Sequence, residues 1–168
     1  FAPIVGSLSD AFGRKPVRHG RYVRYYPNGQ KRVEVEYVRG KKQGVETTWD
    51  AFGTKVQETH YVDGLKHGVE QVWDTRKRKI KEITYAAGKK NGKETIYHKT
   101  GSRARVITYK AGVKHGMEIE YNENGRKVRE VNYANGEKDG WELFFDTSAG
   151  RTKEIARVLW KDGEQVRE

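Results

Sequence analysis

The sequence predicts an all-β fold, an elongated and twisted single antiparallel sheet built from six 24-residue β-hairpins. Glycines recur every 24 residues, an aromatic residue recurs every 12, and apolar and polar residues alternate between them. Twelve residues accommodate a strand and its turn but not a helical crossover, so neighbouring strands are expected to run antiparallel. The constant period implies that each hairpin packs mainly on its neighbours.

A constant glycine spacing defines the predicted repeat boundaries. The glycines that open the units are Gly20, Gly44, Gly68, Gly92, Gly116 and Gly140. The predicted hairpins therefore occupy residues 20–43, 44–67, 68–91, 92–115, 116–139 and 140–163. Residues 1–19 hold a partial copy of the unit and are predicted to be a degenerate half repeat that caps the array. Residues 164–168 are predicted to be a C-terminal tail.

The turn chemistry predicts how the two strands of a hairpin align. The first strand of each unit is expected to be short and the second longer. A three-residue loop at 27–29, with its glycine in the left-handed conformation, pairs Tyr25 with Lys31. The same register pairs Val23 with Val33, so the apolar side chains of the hairpin are expected on one face.

One hairpin loop breaks the glycine pattern. Lys77 stands at the position that Gly29 and Gly53 occupy in other loops. A non-glycine residue in the left-handed region costs roughly 1 to 2 kcal/mol, so an irregular turn is predicted for the third hairpin.

The composition bounds the class of protein. The chain has 168 residues, of which 35% are hydrophobic and 34% charged, with a formal net charge of +11. It contains no cysteine, which excludes disulfides, thiolate catalysis and cysteine-ligated zinc. No apolar stretch approaches the ~18 residues of a membrane-spanning helix, and residues 1–15 lack the pattern of a signal peptide.

Two repeated sets of polar residues are interpreted as structural. His19, His67 and His115 precede glycines in equivalent predicted turns, and histidines two repeats apart are separated by roughly 19 Å, too far to share a metal ion. The glutamates of the first strands are Glu46, Glu70, Glu94, Glu118 and Glu142, and those of the second strands are Glu34, Glu58, Glu82 and Glu130. Many equivalent carboxylates opposite the aromatic face indicate a solvated surface rather than one acid/base pair. The sequence therefore predicts no catalytic residue, no metal site and no cofactor.

The aromatic face is the first candidate binding surface. The predicted register places a lysine or arginine directly across from an aromatic residue in five consecutive hairpins. These candidate residues are Tyr25, Lys31, Trp49, Lys55, Trp73, Lys79, Tyr97, Arg103, Tyr121 and Lys127. They serve either to hold a thin sheet together or to bind a ligand, and the sequence leaves both roles open.

The two ends of the chain provide two further candidate surfaces. Positive charge is concentrated near the N terminus, in a predicted basic pole of Arg14, Lys15, Arg18, Arg21 and Arg24. The last hairpin is the most hydrophobic, and an apolar partner or dimer surface is predicted at Trp141, Phe144 and Trp160.

Two motifs carry a family resemblance. The first is Tyr25-x-x-x-Gly29, and the second is Tyr37-x-x-Gly40-x-Lys42-x-Gly44. In these motifs the sequence resembles MORN-variant repeats, the divergent bacterial relatives of the membrane occupation and recognition nexus repeat, over about residues 20–163. The resemblance implies a binding and scaffolding family with no catalytic residues to transfer.

The leading functional prediction is a non-enzymatic repeat scaffold. Its partner is expected to be a protein, or an anionic surface such as a lipid headgroup, a glycan or an acidic protein; a homodimer is also open, and nucleic acid is not expected. The alternatives are a cell-wall or glycan-binding repeat module, and an antitoxin-like immunity protein. Aromatic pairs that are open to solvent and shared by adjacent hairpins would favour the glycan. The compartment stays open between the bacterial cell envelope or periplasm and the cytoplasm.

Overall fold

The computed structural model describes residues 17–148 and 150–166, and the described residues contain thirteen strands and no helix. The strands are β1 Gly20–Tyr25, β2 Lys31–Val38, β3 Lys41–Trp49, β4 Lys55–Val62, β5 Leu65–Trp73, β6 Lys79–Ala86, β7 Lys89–Tyr97, β8 Arg103–Lys110, β9 Val113–Tyr121, β10 Lys127–Ala134, β11 Glu137–Asp146, β12 Lys153–Lys161 and β13 Glu164–Gln165. Within each unit, the strands are neighbours in the sheet in the order in which they occur in the chain. The predicted all-β antiparallel sheet of hairpins is confirmed, while most of the predicted N-terminal half repeat lies outside the described residues.

The chain divides into two compact units. The described part of the first unit consists of residues 17–77 and 85–88, and that of the second of residues 78–84, 89–148 and 150–166. Within the first unit β1 to β5 pair successively, and every pair is antiparallel. Within the second unit β7 to β12 pair in the same way, and β13, inside the predicted tail, pairs with β12.

The first strands of the repeats are longer than the sequence predicts. Strand β3 has nine residues and begins at Lys41, whereas β4 has eight. The difference arises because Gly44 lies inside β3 as a bulge, with φ 75, instead of starting the strand from a turn. The prediction of a short first strand agrees with β1, which has six residues against eight in β2, and is wrong for the later repeats.

The histidines predicted in turns lie elsewhere. His67 and His115 lie within β5 and β9, because the glycine that follows each has a positive φ inside the strand and forms no turn. The position still supports a turn that comes later in the chain: Nδ1 of His19 accepts a hydrogen bond from the backbone N–H of Arg39, between β2 and β3, at 3.4 Å.

Two kinds of turn alternate along the sheet. The predicted three-residue loop is confirmed at 27–29, where the N–H of Gly29 donates to the carbonyl of Tyr26 at 2.9 Å. The other turns have two residues that both have positive φ, as in type I′ hairpins: Arg39-Gly40, Asp63-Gly64, Ala87-Gly88, Ala111-Gly112, Asn135-Gly136 and Asp162-Gly163.

The turn that contains Lys77 follows the common pattern. Lys77 adopts φ 62, and its N–H donates to the carbonyl of Asp74 at 2.9 Å, as the loop glycines do elsewhere. The prediction of an irregular turn is wrong, because the lysine accepts the left-handed conformation and keeps the hydrogen bond.

A bulge changes the register within each hairpin. Tyr25 pairs with Lys31 as predicted, but Val23 pairs with Glu34 and not with Val33. The extra residue is Arg32, which has no partner on β1. Equivalent shifts in register occur in the later hairpins that share this pairing pattern. The bulge therefore moves Tyr25 and Lys31 to the face opposite the one that carries Val33.

The buried residues of each unit form a row on the face that carries Val33, which we call the core face. Its buried residues on the second strands of the repeats are Val35 and Thr59 in the first unit and Ile83, Ile107 and Val131 in the second. Several of them lie directly opposite glutamates of the neighbouring strands: Thr59 pairs with Glu46 and Glu70, and Val131, with 0% exposure, pairs with Glu118 and Glu142. Across these strands of the core face, an aliphatic or threonine side chain thus alternates with a carboxylate.

Because Lys77 has a positive φ, we expect opposite stability changes from replacing this lysine by glycine and from replacing an equivalent loop glycine by lysine. We expect Lys77→Gly to raise the free energy of unfolding by about 1 kcal/mol, because the left-handed conformation disfavours any residue with a Cβ atom. Gly101, in the equivalent loop of the next hairpin, has φ 89 and open space where a Cβ atom would lie, so Gly101→Lys is the matched reverse substitution. It should lower stability by about 1 to 2 kcal/mol. Urea unfolding of both variants measures the effect, and a Lys77→Gly protein no more stable than the wild type contradicts the assignment.

Candidate functional site

A group of three side chains, centred on a largely buried glutamate, recurs on the core face of each unit. A lysine donates to the glutamate four residues later on the same strand and lies over an aromatic ring of the following strand, 4.0 to 4.8 Å from the ring centre. The groups are Lys42, Glu46 and Tyr61; Lys66, Glu70 and Tyr85; Lys90, Glu94 and Tyr109; Lys114, Glu118 and Tyr133; and Lys138, Glu142 and Trp160. A glycine stands between each lysine and glutamate, so no side chain separates the two charges. We call these the Lys–Glu–ring groups.

The position of the glutamates corrects the sequence prediction. Glu70, Glu94, Glu118 and Glu142 are only 3% to 5% exposed, and they share the core face with the tyrosines. The expectation of a solvated row opposite the aromatic residues is therefore wrong for them. The reason is the bulge in each hairpin, which places the two sets of aromatic residues on opposite faces. Glu34 and Glu58, expected beside this row, lie on the other face and are partly exposed.

Hydrogen bonds keep the buried carboxylates ionised. Burial alone would raise the pKa of Glu70, but hydrogen bonds from Lys66, Thr59 and Gln57 outweigh it, so the pKa lies below its usual value. The same balance, with different donors, lowers the pKa of Glu94 and of Glu142. The buried row is therefore a set of compensated charges at neutral pH.

A lysine and a tyrosine of these groups also hold their protons more tightly. Burial would lower the pKa of Lys66, but its hydrogen bond and charge interaction with Glu70 raise it overall. Burial, together with the hydrogen bond to Glu94, raises the pKa of Tyr109 to about 12. Lys66 and Tyr109 therefore keep their neutral-pH protonation states over a wide pH range.

The candidate aromatic and basic residues lie on the face opposite the core face, which we call the outer face. Cα pairing across the hairpin is confirmed for Tyr25 with Lys31, Trp49 with Lys55, Tyr97 with Arg103 and Tyr121 with Lys127. Trp73 ends β5 and Lys79 begins β6. We call these ten residues, with Phe145, the aromatic–cation row.

The cations of this row contact the ring of the following hairpin. Lys31 lies 5.6 Å from the ring centre of Trp49, and Lys55 lies 4.5 Å from that of Trp73. In the second unit Arg103 lies 5.3 Å from the ring centre of Tyr121. Lys127 likewise lies over Phe145, a residue that the sequence prediction did not include. The rings thus connect successive hairpins, in addition to the predicted pairing within each hairpin.

Each lysine of the row also pairs with a glutamate three residues later. The Nζ–Oε distances are 2.7 Å for Lys31 and Glu34, 2.9 Å for Lys55 and Glu58, and 2.7 Å for Lys79 and Glu82, and Lys127 pairs with Glu130. Residues three apart normally lie on opposite faces of a strand, and the bulge between them brings them to one face. The recurrence of Lys-x-x-Glu in several repeats is the sequence pattern that could have predicted these ion pairs. It predicts them only if the bulge between the two residues is known.

The predicted basic pole is not a cluster of free cations in the described residues. Arg18 lies over two rings, 4.5 Å from the centre of Tyr22 and 5.5 Å from that of Tyr37. Arg21 pairs with Glu34 at 2.5 Å, and Arg24 is exposed. Arg14 and Lys15 lie outside the described residues.

The predicted apolar residues of the last hairpin do not share one surface. Trp160 belongs to a Lys–Glu–ring group, with its Nε1–H donating to Glu142 at 2.7 Å. Phe144 pairs with Arg129 and lies on the core face. Trp141, 42% exposed, lies on the outer face with Arg157 4.8 Å from its ring centre.

A groove lies on the outer face of the first unit, beside the aromatic–cation row. Its volume is about 510 Å³, and its lining residues are Trp49, Phe52, Gly53, Thr54, Lys55, Trp73 and Lys77. Phe52, at the tip of the loop between β3 and β4, is 90% exposed. The aromatic residues of two adjacent hairpins are thus shared by one solvent-open groove.

Residues 17–148 and 150–166 contain no group of three or more histidine, aspartate or glutamate side chains arranged to hold a metal ion. The same residues include no helix long and apolar enough to cross a membrane.

The buried carboxylates predict a loss of stability in acid. A carboxyl group with a lowered pKa in the folded state binds fewer protons there than in the unfolded chain, where the pKa is ~4.3. The stabilisation that this carboxyl group gives to the folded state is present above the unfolded pKa and is lost as the pH falls through the folded pKa. The free energy of unfolding from urea titrations should therefore fall between about pH 5 and about pH 3. For the Glu70→Gln variant, this free energy should fall less steeply with pH. Glu58→Gln, the control with one lysine partner, should keep most of the acid loss; equal slopes for Glu70→Gln and wild type would contradict the prediction.

Comparison with known proteins agrees with the repeat architecture. A family model described as "MORN repeat variant" matches residues 18–39 and 114–135. No curated protein matches the chain. Among solved structures, a mutant of S. aureus TarM in complex with Fondaparinux, alpha-GlcNAc-glycerol and UDP is 13% identical, with a TM-score of 0.40. The match covers 57% of this chain and 19% of that chain, so this chain spans less than a fifth of its length. The two family matches show that the chain carries MORN-variant repeats, and the successive antiparallel hairpins of each unit agree with repeats of this kind.

Proposed function

We propose that this protein is a non-enzymatic scaffold that binds a protein partner along the aromatic–cation row. The observation that carries the proposal is the recurrence of one ring, one cation and one carboxylate at equivalent strand positions within each unit. The row is partly exposed on a regular sheet, and Tyr25 is 51% exposed. Aromatic residues and arginine are the side chains enriched in the centres of protein interfaces.

The charge of the row favours a protein over an anionic surface. Lys31, Lys55 and Lys127 each have a glutamate partner on the same face. A uniformly anionic surface would place its charges next to those carboxylates, which costs free energy. A protein partner can present donors and acceptors in matching positions. An antitoxin-like role is one case of this proposal, since a cognate toxin would be the protein partner.

The buried carboxylates support a role without catalysis. A general acid or base works best with a pKa near the operating pH. The pKa values of Glu70, Glu94 and Glu142 are instead lowered, and the same arrangement recurs in both units. These glutamates are better suited to holding the sheet together than to transferring protons.

A photo-crosslinking experiment tests the proposal. We place a photoreactive amino acid at Tyr97 or Tyr121, in the row, and at the exposed Val113 as a control outside it. In cells that produce the protein from its own gene, the row positions should yield one discrete protein adduct and the control position should not. Excess wild-type chain should compete for the adduct, whereas the Arg103→Ala variant should compete at least several-fold less. Equal adducts from all three positions, or equal competition by both chains, would contradict the proposal.

A further inference from the structure

We propose that the groove between Trp49 and Trp73 binds a neutral oligosaccharide of equatorially linked pyranose units. This site goes beyond the proposed scaffold function, because its lining residues belong to the first unit and its ligand is not a protein. The two tryptophans end β3 and β5, two strands apart, which separates equivalent positions by about 9.6 Å. An extended sugar chain presents flat C–H faces that can stack on rings arranged in this way.

The rings of the groove are held in place before a ligand arrives. Lys31 lies over Trp49 and Lys55 over Trp73, so each indole has a cation against it. Both indoles are half-buried, whereas the side chain of Phe52 extends from the adjacent loop with 90% exposure. Fixed rings lower the cost of ordering the site on binding. The groove is thus a largely pre-formed aromatic cleft, with one wall supplied by a loop.

The hydrogen-bonding groups around the rings match hydroxyl groups. Lys55 is a donor, and Glu58, 2.9 Å from it, is an acceptor on the same face. Thr54 adds a hydroxyl group to the lining, which both donates and accepts. A sugar hydroxyl also donates one hydrogen bond and accepts others, so it can use every member of this set. A ligand with only acceptors could use Lys55 and Thr54 but not the carboxylate of Glu58.

The charge distribution separates this ligand from a nucleic acid. Single-stranded nucleic acid stacks on aromatic residues but also needs a positively charged track for its phosphates. Here the cations nearest the rings, Lys31 and Lys55, are paired with Glu34 and Glu58. Lys77 lines the groove as well, yet a single further cation makes no track. The observations therefore favour a neutral saccharide.

Quenching of tryptophan fluorescence measures the binding. The full chain is titrated with the hexamers of β-1,4-linked glucose and of β-1,4-linked N-acetylglucosamine, which distinguish the two sources of the same pyranose chemistry. At least one hexamer should bind with a midpoint below millimolar concentration. Because the ligand is uncharged, the midpoint should not change between low and physiological salt. Absence of quenching by both hexamers at millimolar concentration overturns the proposal.

Variants locate the binding in the groove. Trp73→Ala should weaken binding at least tenfold, and Phe52→Ala, at an exposed loop tip, should weaken it several-fold with an unchanged urea midpoint. Trp141→Ala removes an exposed outer-face tryptophan that does not line the groove and should leave the affinity unchanged. Equal affinity of Phe52→Ala and wild type would overturn the site even if Trp73→Ala failed to fold.

Two further ligands and one cross-check complete the test. Binding of oligouridylate or of polyglutamate without binding of either hexamer would overturn the neutral-saccharide assignment. The crosslinking at Tyr97 and Tyr121 is a separate measurement on the second unit. Phe52→Ala should leave it unchanged, so failure of the groove and failure of the scaffold proposal give different results.

Discussion

A carboxylate that is buried in a thin sheet must keep a charged partner, and this constraint organises each unit. An isolated buried ion is far too costly to retain, whereas a paired and hydrogen-bonded one is tolerated. Each buried glutamate here receives a lysine from its own strand, and Glu94 also receives Lys81 at 2.8 Å from a neighbouring strand. The aliphatic side chains between the glutamates are few, so the sheet relies on these ion pairs as much as on apolar burial.

The need to pair the buried carboxylate also restricts which residues fit at neighbouring positions of the repeat. The glycine between lysine and glutamate leaves room for the ammonium group to reach the carboxylate, and it also forms the bulge of the first strand. The tyrosine of the following strand covers the lysine, so each Lys–Glu–ring group spans two neighbouring strands. The outer face uses a second ring–lysine–glutamate arrangement that remains partly open to solvent. Charge pairing is therefore largely buried on the core face and more exposed on the outer face.

Much of the fold follows from the sequence, because glycine spacing and turn chemistry are local signals. The hairpin period, the antiparallel order, the loop at 27–29 and the pairing of Tyr25 with Lys31 are all predictable. The bulge at Arg32 is not, since no glycine or proline marks it, and one extra residue transfers every later side chain to the other face. Because the predicted register lacked this bulge, it placed Glu70 and the equivalent glutamates in solvent.

The candidate site was predictable to a similar extent. The residues of the aromatic–cation row follow from the 12-residue aromatic spacing, as pairing between Trp49 and Lys55 shows. Their neutralisation by Glu58 and its equivalents depends on the bulge and could not be predicted without it. The groove additionally depends on the position of Phe52 at a loop tip, which is a tertiary feature with no period in the sequence.

A double-mutant cycle measures whether buried Lys–Glu pairing holds the hairpins together. The free energies of unfolding of Lys66→Met, Glu70→Gln and the double variant give the coupling between the two side chains. We expect a coupling of about 1.5 to 3 kcal/mol, as for hydrogen bonds to charged groups. The matched cycle on Lys55 and Glu58, a more exposed pair, should give less than about 1 kcal/mol. A coupling for Lys66 and Glu70 near zero, or no larger than that of the exposed pair, would show that the buried pair does not hold the hairpins together.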